Sequence, residues 1–342
     1  MANTIPLIRS AALIPMIRWL RVNGRPVRER LRAADLGYLS EGAPERPVPL
    51  LSAFDFFRSA GALEGPDIGT RVVAPNSLAD LGNLGRLILG AGTPREALQR
   101  AAGALPRYCT HELLSLHRIP GGICVRAGWS LILDDATMHL TQQFTASLIQ
   151  ALCAATERHG AAPRSVRIRP HPVFGLEHLR PLFGSTLGAA TEATLDIDLD
   201  DDVLDARLLV GEPGIAATPS QYWAILKGDG SFRHSARLVL EAMAEDPPIS
   251  IERLARSADM SNRSLQRVLT SEGTSFRRLS DEVRRAMAMG ALRADRGTLS
   301  SVAADLGYTA QSSLSRAVRR WTGAPPKALT RRTAVQVGEG LE

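Results

Sequence analysis

Residues 254–269, LARSADMSNRSLQRVL, and residues 302–318, VAADLGYTAQSSLSRAV, are two versions of one pattern. Each opens with an apolar residue followed by Ala and breaks at a small polar residue, Ser261 or Thr309. Each then runs into a segment carrying Leu-x-Arg, Leu265 with Arg267 and Leu314 with Arg316. That pattern reads as helix, tight turn, helix, written twice in one chain. Two such units on one domain imply a protein that reads two stretches of DNA major groove. At about 100° per residue, Leu265, Val268 and Leu269 share one side of the first recognition segment, and Arg263, Gln266, Arg267 and Thr270 share the other. In the second unit Leu314, Ala317, Val318 and Trp321 form the apolar side. Ser312, Ser315, Arg316 and Arg319 point away, with Gln311 near the start. Arg grips guanine O6 and N7, Gln grips adenine N6 and N7, and Ser contacts either base. One such face alone would read as solubilising surface; two in matching frames point to base reading.

The charge distribution agrees. Residues 251–332 hold 16 Arg and Lys against 7 Asp and Glu, a net +9, whereas the whole chain is +6 and the remainder therefore −3. Basic charge gathered on the repeated motif is what displaces counterions from phosphates. The other bulk properties exclude several classes. At 342 residues the chain is long enough for two domains, and a hydrophobic content of 44% is that of a globular protein. No run approaches the ~18 consecutive apolar residues of a membrane span, so no membrane partner is expected. The apolar start is interrupted by Pro15 and Arg18 and has no small-residue cleavage site, so we expect no secretory signal. Cys109, Cys124 and Cys153 are odd in number and lack C-x-x-C spacing, which implies reduced, mostly buried thiols in a cytoplasmic protein.

Periodicity divides the chain. Helices are predicted over residues 5–22, 49–60, 78–90 and 94–105, the last opened by Thr93 as cap, Pro94 at the first position and Glu96. Residues 111–119 and 123–129 flank Pro120-Gly121-Gly122 and predict a β-hairpin. A long helix over 137–158, a strand over 165–171, a short helix over 176–183 and a strand over 193–199 complete an α+β domain on a mostly antiparallel sheet. From Ser235 onward the pattern is helical, with a connecting helix over 281–296 that places Val283, Met287, Ala291 and Ala294 on one face. Gly323-Ala324-Pro325-Pro326 stops the second unit. The expected organisation is an α+β sensor domain over residues 1–210, a linker over 211–234 and an all-α domain with two helix-turn-helix motifs over 235–335.

Residues 251–332 resemble the C-terminal DNA-binding domain of the AraC/XylS transcription regulators. The resemblance rests on the two frames above, the connecting helix with Arg284, and the segment LGYTAQSSLSRAVRRWTGAPP. It implies a seven-helix domain whose connecting helix holds two recognition helices about one DNA turn apart. It also implies base-facing roles for Arg263, Gln266 and Arg267 in the first, and for Gln311, Ser312, Ser313 and Arg316 in the second. Leu314 and Val318 stand where the family usually has Phe, and Leu329-Thr330 replace its usual Tyr-Arg. Residues 51–209 are similar to the arabinose-binding-like N-terminal domain of one branch of that family, on DIGTRVVAPNSLADLGNLGRLILGAGTPREAL, IRPHPVFGLEHLRPLFG and ATLDIDLDDDVLDA. That similarity implies a sensor role without naming a ligand. The implied partners are double-stranded operator DNA, RNA polymerase, a small-molecule effector and a second copy of the chain.

Other motifs carry less. Asp196, Asp198, Asp200, Asp201 and Asp202 suggest calcium, but an EF-hand counted from Asp196 needs Gly and Glu where Asp201 and Arg207 stand. Their period of two marks the wet face of an edge strand. His139 and His171 lack a spaced partner and read as structural or surface residues. The glycine-rich residues 82–92 read as helix and turn and lack the strand-first context of a nucleotide loop, and no G-x-S-x-G is present. We therefore expect no cofactor, no metal and no enzyme. An enzymatic front domain would need a reactive Cys in an electropositive setting, and a nonspecific DNA-binding module would need no sensor.

Overall fold

The computed structural model describes residues 4–39, 42–209, 223–293, 298–306 and 310–326. The chain forms two compact units, residues 6–228 and residues 229–342, the second joined by residues 1–5.

The front unit begins with β1 (Leu7–Arg9), a 3-10 turn (Ser10–Leu13), α1 (Ile14–Val22) and α2 (Val27–Ala33). Residues 5–22 are thus not one helix. Pro6 starts an extended segment that pairs antiparallel with β2 (Pro47–Pro49), a partner forty residues away. Helices α3 (Leu50–Glu64), α4 (Ile68–Arg71), α5 (Ser77–Asp80) and α6 (Gly82–Leu89) follow. The helix expected over 78–90 is split because Gly82 sits at φ 62°, which a helix does not accommodate. Helix α7 (Pro94–Tyr108) starts as expected: Thr93 Oγ1 accepts from the Glu96 N–H (3.3 Å), and the Glu96 carboxylate accepts from the Gly92 N–H (2.7 Å).

The hairpin of β3 (Glu112–Ile119) and β4 (Gly122–Trp129) turns at Gly121, φ 73°. Then come α8 (Asp135–Ala154, capped by Asp134), β5 (Ser165–Ile168), α9 (Arg180–Phe183), β6 (Leu187–Ala189), β7 (Leu195–Asp200) and α10 (Asp201–Leu204). The strand order is β3-β4-β7-β5-β6, antiparallel except for β5 with β6. Strand β7 is therefore central, which corrects the edge-strand reading of its acids. Leu195, Ile197 and Leu199 are buried on one face, while Asp196, Asp198 and Asp200 alternate with them. The acids are neutralised by neighbouring arginines: Arg126 to Asp196 (2.8 Å), Arg167 to Asp198 (2.8 Å) and Arg164 to Asp200 (2.8 Å). Central position and acidic period coexist because each carboxylate has a cross-strand cation.

The described residues of the rear unit form helices and no strand: α11 (Phe232–Met243), α12 (Ile251–Ser257), α13 (Asn262–Ser271), α14 (Phe276–Arg293), α15 (Leu299–Asp305) and α16 (Gln311–Thr322). Helix α14 starts five residues before the expected Asp281. Gly273 turns the chain at φ 70°, and Ser275 Oγ accepts from the Arg278 N–H (3.2 Å). It buries Leu279 and Val283 near its start, and Ala288 and Leu292 further along. The latter pair joins Val302, Ala303, Leu306, Leu314 and Val318 in the core of the second helix-turn-helix, with Met287, Ala291 and Trp321 packed alongside. Ala294, the turn residue Thr309, Leu329-Thr330 and most of the expected linker lie outside the described residues. Ile5 belongs to this unit, its N–H donating to the buried Ser235 Oγ at 3.0 Å.

Candidate nucleic-acid interface

The first helix-turn-helix is built by local hydrogen bonds. Ser250 caps α12 by accepting from the Arg253 N–H (3.2 Å), and Ser261 caps α13 by accepting from the Ser264 N–H (3.2 Å). Between them the chain reverses at Asp259, held at φ 50°, and the Met260 N–H returns to the Ala255 carbonyl at 2.9 Å. Leu254, Ala255, Leu265 and Leu269 are buried where the two helices pack on each other and on α11. The opposite side of α13 is bare: Arg263, Gln266 and Arg267 are all exposed, and none of their side chains makes an ion pair among the described residues. All three expected base-facing residues therefore lie on one solvent face of one helix.

The second unit repeats the arrangement with a different start. Helix α16 begins after Ala310, which offers no side-chain cap, and ends at Gly323 (φ 73°), whose N–H reaches the Arg319 carbonyl at 2.9 Å. Leu314, Ala317 and Val318 are buried, so the residues standing where the resembled family has Phe still form the core. Gln311, Ser312 and Arg316 are exposed; Ser313 is half-buried and accepts a bond from the Arg316 guanidinium (3.4 Å). Ser313 thus sits behind Arg316, while Arg319 shares the exposed surface. Arg320 of α16 is tied to Asp281 (3.2 Å) and Arg278 of α14 to Glu282 (3.3 Å).

The front unit carries three features of its own. An apolar cavity of about 140 Å³ lies among α3, α6, α7, α8 and the hairpin, with Glu112 and Tyr108 on its wall. Neither residue was singled out from sequence; the available signal was an acid at an inward position of β3, in step with Leu114 and Leu116. Secondly, His139 and His171 meet a third histidine, His178, that sequence reading missed. The Arg169 carbonyl can only accept, so His139 Nδ1 donates to it (2.6 Å), and His139 Nε2 takes a hydrogen bond from His178 Nε2 (2.8 Å). Burial pushes His139 down to about 4. His171 Nδ1 accepts from the Val173 and Phe174 N–H groups (3.1 and 3.2 Å), which leaves its other nitrogen protonated and unsuited to a metal. No metal-holding group of His, Cys, Asp or Glu occurs among the described residues. Thirdly, Cys109, Cys124 and Cys153 are buried, and burial raises all three thiols, Cys124 to about 11 and Cys153 to about 12. Thiolate chemistry is disfavoured at each. No helix among the described residues is long and apolar enough to cross a membrane.

The helix-turn-helix domain family matches residues 254–332. Along most of its length the chain is similar to the ornithine utilization regulator of Pseudomonas aeruginosa, 25% identical over 340 residues that cover 95% of this chain and 96% of that one. Its rear segment is similar to the HTH-type transcriptional regulator VirS of Mycobacterium tuberculosis, 42% identical over 78 residues, 23% of each chain. Among solved structures it is similar to the transcriptional regulator CdpR from Pseudomonas aeruginosa, 22% identical over 92% of this chain and 98% of that one, with a TM-score of 0.40. The buried and exposed faces of α12–α13 and α15–α16 are those a helix-turn-helix requires, and the family match falls on the same residues. Residues 254–332 are thus an AraC-type helix-turn-helix domain, and the chain that carries them is a DNA-binding transcription regulator.

Proposed function

We propose that this regulator is a one-component switch in which a small molecule bound by the front domain sets how the rear domain engages operator DNA. In this reading residues 1–210 bind effector, 211–234 link, and 235–335 bind DNA. Arg263, Gln266 and Arg267 of α13 and Gln311, Ser312 and Arg316 of α16 contact bases in two major-groove segments, with Ser313 orienting Arg316. The observation that carries the DNA half is the exposure of these side chains opposite two buried apolar faces. The effector half is supported by the cavity in the front unit, and a coupling of typically about 1–3 kcal/mol between sites is enough for control. The protein works in the cytoplasm, on paired half-sites as a dimer and with RNA polymerase as the downstream partner. The name of the Pseudomonas relative concerns ornithine. The cavity wall of this chain has no basic side chain to receive an amino acid's α-carboxylate.

A genome-wide occupancy map of the protein on its own chromosome tests the reading. A few sharp peaks over a shared motif are expected. Broad occupancy without a motif, falling uniformly with salt, would replace it with a nonspecific DNA-binding module.

A further inference from the structure

The cavity of the front unit has a composition that selects its occupant. Its wall is aromatic: Phe54 stands edge-on to Trp129 with ring centroids 5.0 Å apart, Phe57 stands edge-on to Phe144 at 5.5 Å, and Tyr108 adds a fifth ring. A volume of about 140 Å³ is close to that of the cavities that hold a single benzene ring. The polar groups on the wall are few. Trp129 Nε1 donates to Thr141 Oγ1 (3.3 Å), and the Thr141 hydroxyl donates to the Met138 carbonyl (3.0 Å), so both are already engaged.

Three groups are not engaged, and the half-buried Thr145 hydroxyl is the first of them. Tyr108 is 4% exposed, and its buried hydroxyl has no hydrogen-bond partner among the described residues. The carboxyl of Glu112 has neither an ion pair nor a hydrogen bond among them, and no Arg, Lys or His lines the cavity. Glu112 keeps some accessible area because it borders the cavity, yet enough protein surrounds it that burial raises its carboxyl to about 7. A buried polar group without a partner is costly, and such groups at a cavity wall mark where a ligand's polar atom belongs. A carboxylate ligand would face Glu112 with no cation to offset it. A sugar would leave most of its hydroxyls against aromatic rings.

We propose that this cavity is the effector site, and that it takes a small hydrophobic molecule, one ring or a short chain, whose single amine or hydroxyl donates a hydrogen bond to Glu112. The assignment rests on the effector-controlled reading above and names the ligand class for it. An ammonium group recruits the ionised carboxylate, a hydroxyl satisfies either form, and the Tyr108 and Thr145 hydroxyls are the further available partners.

The test uses three isosteric probes on the full chain: benzylamine, benzyl alcohol and benzoate, with binding read by ligand-observed NMR and by thermal shift. Benzylamine and benzyl alcohol are expected to bind at one site, benzylamine the more tightly, and benzoate at least tenfold more weakly than either. Glu112→Gln is expected to remove most of the advantage of benzylamine over benzyl alcohol. Leu148→Trp and, separately, Thr145→Phe fill the cavity and are expected to weaken benzylamine at least tenfold, with far-UV circular dichroism and operator binding retained. Absence of binding to the wild-type chain, equal binding of all three probes, or binding that survives both filled variants overturns the assignment. Effector control is read separately, as the change in operator affinity at saturating benzylamine. An unchanged affinity with intact cavity binding refutes control through the front unit and leaves the site. A response that persists in both filled variants refutes the site and leaves effector control.

Discussion

Arg316 stands exposed on α16 with its guanidinium within 3.4 Å of Ser313 Oγ, and no acid is paired with it among the described residues. A guanidinium held from one side and open on the other is poised for a bidentate contact with guanine. Arg316→Ala is expected to cost about 1–3 kcal/mol on the specific site and to relax preference at one base pair. Titration of the variant against every single-base change of the operator checks this. Equal weakening on operator and random DNA would make Arg316 a phosphate contact instead. Arg278 offers the contrast. It is already paired with Glu282 (3.3 Å), and Arg278→Ala is expected to leave base preference untouched while at most lowering the salt dependence of binding.

At the scale of the element, the turn of the first helix-turn-helix is strained where the sequence is least helpful. Asp259 occupies a left-handed conformation at φ 50°, and the position aligned with it in the second unit is Gly307. Asp259→Gly removes the Cβ penalty but loosens the unfolded chain, so a net gain of at most about 1 kcal/mol is expected. Ser261→Ala, which deletes the cap of α13, is expected to cost about 1 kcal/mol. Urea unfolding of the two variants reads both, and a destabilised Asp259→Gly would show that the aspartate does more than tolerate the turn. The recognition helices were legible because what defines them is local: an apolar face at helical spacing and a glycine stop in both, with a serine cap on α13. What was not legible depended on distant partners. Strand β1 exists because residues 47–49 pair with it, and the acids of β7 are tolerated at the centre of the sheet because β4 supplies Arg126 and the β5 segment supplies Arg164 and Arg167. The cavity was hidden for the same reason. Glu112 is unremarkable in the sequence of β3 until α3, α7 and α8 close over its face.

At the scale of the whole molecule, two buried groups of the front unit pull its stability in opposite directions with pH. His139 titrates at about 4 when folded against an ordinary 6.5. Its contribution is therefore full above pH 6.5 and is lost as pH falls toward 4, since the unfolded chain binds the extra proton in that window. Glu112 is the reverse: raised to about 7 from an ordinary 4.5, it favours the folded state most at low pH and loses that contribution as pH rises through 7. Between about pH 4.5 and 6.5 the two slopes oppose, each near 1.4 kcal/mol per pH unit. His171 and His178, both lowered by burial, tip the balance toward destabilisation in acid. Asp198, held near 2 mainly by its hydrogen bond from Arg167, titrates below this window and does not blur it. Glu112→Gln is accordingly expected to gain roughly 2–3 kcal/mol over wild type between pH 4.5 and pH 8, and to steepen the loss of stability in acid. His139→Gln forfeits the bond to the Arg169 carbonyl at every pH, so its level falls, but its slope between pH 4.5 and 6.5 is expected to turn against rising pH. Melting temperatures of the three proteins across pH 4.5 to 8 decide the matter by slope alone. Parallel curves for wild type and Glu112→Gln would mean that the carboxyl is not raised, and would remove the electrostatic reason for an amine at that wall.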